Sequence, residues 1–153
     1  MRLRFLLMIC LIIASAGVAQ GSQDRPYVLL PRPGKQGAPP PMQQADRNSY
    51  GIWHPSYADI ASLESRLSGI SELTPVNWRS NIHIDEPRKY FRQYMGVSHQ
   101  GLRRILINAF CDSPPTDWHD RLVVVTDGGT CFWQALYDPS TGAFSDLTIN
   151  GRA

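Results

Sequence analysis

Cys131-Phe132-Trp133-Gln134-Ala135-Leu136-Tyr137-Asp138-Pro139-Ser140-Thr141-Gly142-Ala143-Phe144-Ser145-Asp146-Leu147-Thr148-Ile149 reads as two strands around a turn. Cys131–Tyr137 is rich in aromatic and apolar residues, which fit a pleated, half-buried surface. Proline early and glycine late in Asp138–Gly142 supply the fixed and the positive φ that a tight turn needs. Ala143–Ile149 then returns as the closing strand.

Upstream, the same pattern repeats. Asp127-Gly128-Gly129-Thr130 reads as a hairpin turn, because its glycines accept positive φ. Arg121–Thr126 precedes it and carries Leu122-Val123-Val124-Val125, a run dense in β-branched residues, so it is expected as a strand. Leu102–Phe110 and Tyr90–Val97 form an earlier pair around Ser98-His99-Gln100-Gly101. Val76–Ile84 is a further candidate strand, ended by Asp85-Glu86-Pro87. One helix precedes them all. Ser56 is placed to cap it, with Asp59 three residues on as a partial capping box. Ile60, Leu63, Leu67 and Ile70 then fall on one helical face, and Gly69 and Pro75 mark the end. The expected fold is α+β: one N-terminal helix packed on a curved antiparallel β-meander of four to six strands.

The N-terminus reads as an address. Arg2 and Arg4 precede an uncharged stretch from Phe5 to Ala16, shorter than the about 20 apolar residues a bilayer span requires. Gly17 and Ala19 satisfy the small-x-small rule, which places a signal-peptide cut after Ala19. Residues 20–49 form a Pro-rich linker, in which Pro26, Pro31, Pro33, Pro39, Pro40 and Pro41 deny regular structure. Residues 24–49 are accordingly expected to be mobile and dispensable for folding, and whether their one apolar patch, Tyr27-Val28-Leu29-Leu30, docks on the domain is left open. Residues 50–153 are the α+β domain.

Removing residues 1–19 lowers the basic count from 15 to 13, equal to the 13 acidic residues. A near-neutral chain lacks the electrostatic footprint of a nucleic-acid binder. The membrane is then met only during export, and the expected location is periplasmic or secreted. The cut also removes Cys10. The two remaining cysteines, Cys111 and Cys131, read as one disulfide in an exported protein. The alternative is two buried free thiols.

Catalytic signatures are sparse. His54, His83, His99 and His119 lack ligand spacing, and no nucleophile elbow accompanies them. Asp112, Asp117, Asp120 and His119 share a loop, but their spacing matches no EF-hand, so no metal or cofactor is expected. His99, Arg103 and Arg104 cluster at a hairpin tip and are candidate partner contacts. Trp118 is a further candidate contact, although a lid over the sheet is its simpler role.

Tyr90-Phe91-Arg92-Gln93-Tyr94, Ile105-Leu106-Ile107-Asn108-Ala109-Phe110-Cys111, Val123-Val124-Val125-Thr126-Asp127-Gly128-Gly129 and the closing Asn150-Gly151-Arg152-Ala153 together resemble small exported bacterial proteins with an Asp-Gly-Gly hairpin and an Asn-Gly-x-Ala tail. The Tyr137-Asp138-Pro139-Ser140-Thr141-Gly142 hairpin is also faintly similar to PepSY-type periplasmic modules. Neither resemblance implies a catalytic role for any residue. The function expected is an exported, non-enzymatic binding module, with a protein partner in the envelope or outside the cell. One alternative is a small-ligand pocket between helix and sheet. The other is a hydrolase, whose nucleophile and base the chain does not join in any local motif.

Overall fold

The computed structural model describes residues 26–31, 50–78, 82–99 and 101–151. The expected signal peptide and most of the expected linker lie outside the described residues. Ser56 caps the helix as its sequence requires. Its Oγ accepts from the Asp59 N–H at 3.2 Å, and Asp59 Oδ2 accepts from the Ser56 N–H at 2.8 Å. Helix α1 spans Tyr57–Arg66 and tightens into a 3₁₀ segment, Leu67–Glu72. Among the described residues, no helix is long and apolar enough to cross a membrane.

Six strands make one sheet. They are β1 (Tyr27–Leu29), β2 (Tyr50–Ile52), β3 (Phe91–His99), β4 (Leu102–Phe110), β5 (Phe132–Asp138) and β6 (Ala143–Ile149). Strands β3 to β6 form the expected antiparallel meander, with Tyr94 opposite Ile107 and Ile107 opposite Ala135. An extra residue in β6 shifts the register between Gln134 and Leu136, and Asp146 takes a φ of 53° there. Such a bulge increases local twist.

Several expectations need correction. The sheet is mixed, because β1 runs parallel to β3 while β2 pairs antiparallel with it. Two strands thus precede the helix, which is not the first element of the fold. The docked reading of the Tyr27–Leu30 patch is the one observed, with Leu30 buried and its N–H donating to the Tyr94 carbonyl at 2.9 Å. Arg121–Thr126 is not a strand. Both edges of β4 are already taken by β3 and β5, so this segment crosses the sheet face as a strap. Val76–Ile84 is likewise no strand among its described residues. Val76 to Trp78 follow the outer edge of β6, where the Val76 N–H donates to the Leu147 carbonyl at 2.8 Å.

The sheet has two different faces. Under the helix, Leu63, Leu67 and Ile70 pack on Tyr94, Ile105 and Ile107, all fully buried. That interface is filled by side chains, and Ser62 Oγ meets the Tyr137 hydroxyl across it at 2.9 Å. Gly96 of β3 permits a close approach at the upper end, since a Cβ there would fall 2.2 Å from the Trp53 carbonyl oxygen. The opposite face carries Met95, Val97 and Leu106 at one end and an aromatic cluster of Phe91, Phe110 and Trp118 at the other.

Candidate functional site

Cys111 leaves β4 and Cys131 enters β5. They form a disulfide with Cα atoms 5.0 Å apart. The bond closes residues 112–130 into a loop anchored at the base of two paired strands. Cys111, Asp112 and Cys131 lie close together, but both sulfurs are committed to the disulfide. The thiolates a metal would need are therefore not on offer. Asp117 pairs instead with Arg121 at 3.2 Å.

The strap is held by side-chain amides rather than by a strand ladder. Gln93, Asn108 and Gln134 stand opposite one another on β3, β4 and β5. Gln93 Nε2 donates to the Trp118 and Arg121 carbonyls at 2.6 and 2.7 Å. Gln93 Oε1 accepts from the Val123 N–H at 2.8 Å and from Asn108 Nδ2 at 2.9 Å. Asn108 Nδ2 also donates to the Val123 carbonyl, and Asn108 Oδ1 accepts from Gln134 Nε2 at 2.8 Å. Asn150 secures the far end of the strap, donating to the Val125 carbonyl at 2.6 Å. Beside the strap lies a cleft of about 290 Å³.

Behind the sheet, Glu64 of α1 gathers three side chains. Arg92, 1% exposed, donates through Nε to Glu64 Oε1 at 3.1 Å, and its Nη1 reaches the Arg88 and Tyr90 carbonyls. Arg88 pairs with Glu64 Oε2 at 3.4 Å, and the Tyr94 hydroxyl donates to Glu64 Oε1. Burial, then the Glu64 charge, pushes the Tyr94 phenol well above its usual range. The Tyr27 ring of β1 sits over the Arg92 guanidinium at 5.9 Å. The network joins β1, α1 and β3, with two guanidinium groups sharing the one Glu64 carboxylate.

At the other end of the meander is a depression of about 440 Å³, lined by Trp53, Asp59, Leu102, Arg103, Arg104 and Ser140 among others. Trp53 is fixed there. Its Nε1 donates to the Val97 and Arg104 carbonyls, each at 3.0 Å, so the indole spans two strands. Arg103 lies over the indole at 5.3 Å. Arg104 pairs with Asp138 at 3.2 Å. Hydrogen bonds from Ser140, and then the Arg104 charge, hold the Asp138 carboxyl below its ordinary value. Leu102 and Tyr57 are exposed, at 58% and 92%.

The four candidate partner contacts are thus divided. Arg103 and Arg104 share this depression, and His99 stands at the same end, paired with Leu102 across the hairpin. Trp118 is at the opposite end. It is 6% exposed and edge-on to Phe91 and Phe110, so its ring serves as a lid over the sheet and offers no free surface. His54, His83 and His119 are exposed. Sequence reading missed Trp53 and the amide row. The available signal was Gln93 and Asn108, polar residues at inward positions of apolar strands.

No family model, no curated protein and no solved structure matches this chain.

Proposed function

We propose that this protein works outside the cytoplasm as a binding module for a protein partner, engaged through the β3–β4 hairpin end. Trp53 carries this reading: it is a preorganised indole, bonded to two strands, stacked by Arg103 and flanked by exposed Leu102. Interfaces concentrate their energy in Trp, Tyr and Arg, and a rigid anchor loses little conformational entropy on binding. The disulfide supports an oxidising location. Site-directed photo-crosslinking tests the reading. A crosslinker at Leu102 should capture a discrete partner from the extracytoplasmic fraction, whereas one at exposed Thr130 should not. Equal capture at both positions, or none at Leu102, rejects it.

A further inference from the structure

The amide row has a fixed polarity, and this determines what the strap cleft presents. The Val123 N–H can only donate, so Gln93 must turn its carbonyl oxygen toward it. Gln93 Oε1 then accepts from Asn108 Nδ2, which leaves Asn108 Oδ1 as the acceptor for Gln134 Nε2. Each amide therefore dictates the orientation of the next. Both Gln93 N–H groups and both Asn108 N–H groups are used within the fold. Gln134 ends the row with its carbonyl oxygen and its second N–H uncommitted among the described residues. It lines the cleft beside Thr148, its neighbour on β6, and Phe132.

The cleft is lined without a single charged side chain. Phosphate, carboxylate and amine ligands would find no counter-ion there. What it offers is polar and neutral: the Gln134 amide with a fixed acceptor and donor, the Asn77 and Asn150 amides, hydroxyls from Thr148 and Thr126, and Phe132 as an aromatic residue of the lining. Neighbouring hydroxyls on a carbon ring, each both donor and acceptor, match that set. At about 290 Å³, the cleft lies at the small end of ligand pockets, about 300–1,000 Å³, which restricts it to one ring. We infer that this cleft is a subsite for a single neutral saccharide unit, held by the outward amide of Gln134, the Thr148 hydroxyl and the face of Phe132. The inference is independent of the hairpin-end partner site.

Nuclear magnetic resonance of the full mature chain tests it directly. The methyl glycosides of glucose, galactose, mannose and N-acetylglucosamine are titrated to about 100 mM, enough to detect a millimolar site. At least one should shift the Gln134 side-chain amide, Thr148 and Phe132 resonances in a saturable manner. Thr148→Val, which keeps shape and loses the hydroxyl, should weaken that sugar about fivefold to tenfold. Gln134→Leu should weaken it at least as much, with its fold checked by the unchanged dispersion of the remaining spectrum. No saturable shift at these residues with any of the four sugars, or equal affinity in a folded Gln134→Leu variant, overturns the inference.

Discussion

Asn77 binds Ile149 at both of its backbone groups: Asn77 Nδ2 donates to the Ile149 carbonyl at 2.7 Å, and the Ile149 N–H donates to Asn77 Oδ1 at 3.1 Å. One side chain thus reproduces a pair of ladder bonds on the outer edge of β6. Trp78 adds a third bond to the same carbonyl at 2.9 Å. An unpaired edge of this kind is a template for association. Asn77→Ala should lower stability by about 1–3 kcal/mol, the cost of leaving buried ladder groups unmade, and should increase self-association. Asn77→Asp keeps the acceptor and loses the donor, so it should be at least as destabilised at neutral pH. Urea unfolding and light scattering decide both points.

Glu64 is the shared acceptor of Arg92, Arg88 and Tyr94. Removing it leaves a guanidinium buried without its partner, so Glu64→Ala should cost about 3–5 kcal/mol. The buried phenol gives a separate signature. Tyr94 binds its proton more tightly when folded, and so does Tyr90, through burial and the nearby Asp85 and Glu86 charges. Their contribution is complete below the ordinary tyrosine value of 10.0 and is lost as pH rises toward the folded values. Stability should therefore fall above about pH 10. Tyr94→Phe should flatten that alkaline limb while lowering stability at neutral pH. An unchanged limb in Tyr94→Phe would disconnect this phenol from the pH dependence.

A chain beginning at Tyr50 should melt lower than one beginning at Gln20. It loses β1, the buried Leu30 and the Tyr27 ring over Arg92. Burial of one leucine is worth about 1.5–3 kcal/mol. Differential scanning calorimetry of the two chains is the check. Equal melting temperatures would show that β1 contributes nothing to the folded domain.

Reduction should loosen the strap before the sheet. The Cys111–Cys131 bond spans 20 residues, and a loop of that size contributes about 3 kcal/mol. Thiol labelling of unfolded, unreduced protein should find neither Cys111 nor Cys131 free. In the reduced protein, Trp118 emission should shift to the red under conditions where the β3–β6 amides stay protected from exchange. Simultaneous loss of both signals would mean that strap and sheet unfold as one unit.

Local chemistry made much of this architecture legible. The Ser56–Asp59 box, the Ile60-Leu63-Leu67-Ile70 stripe, and the spans Leu102–Phe110 and Ala143–Ile149 were readable because each rests on neighbours in sequence. The strap was not. Leu122-Val123-Val124-Val125 has strand composition, but composition does not say whether a partner edge is vacant, and here β4 is paired on both sides. The parallel docking of β1 was equally hidden, since three residues bounded by proline carry little periodicity and their partner lies more than sixty positions away. At the hairpin end, Arg103 and Arg104 were legible from their place beside a turn. Trp53 was not, because its role depends on carbonyls of two strands far along the chain.

The central claim is that the hairpin end binds a protein by shape and stacking rather than through one titratable group. The decisive measurement is the affinity for the crosslinked partner, compared between the native protein, Arg103→Glu, and alanine at each of His54, His83, His99 and His119. The account predicts at least a tenfold loss for Arg103→Glu, as expected of an interface arginine, and near-native affinity for all four histidine variants. Native affinity in Arg103→Glu, or loss of binding on replacing any one of the four histidines, would contradict it.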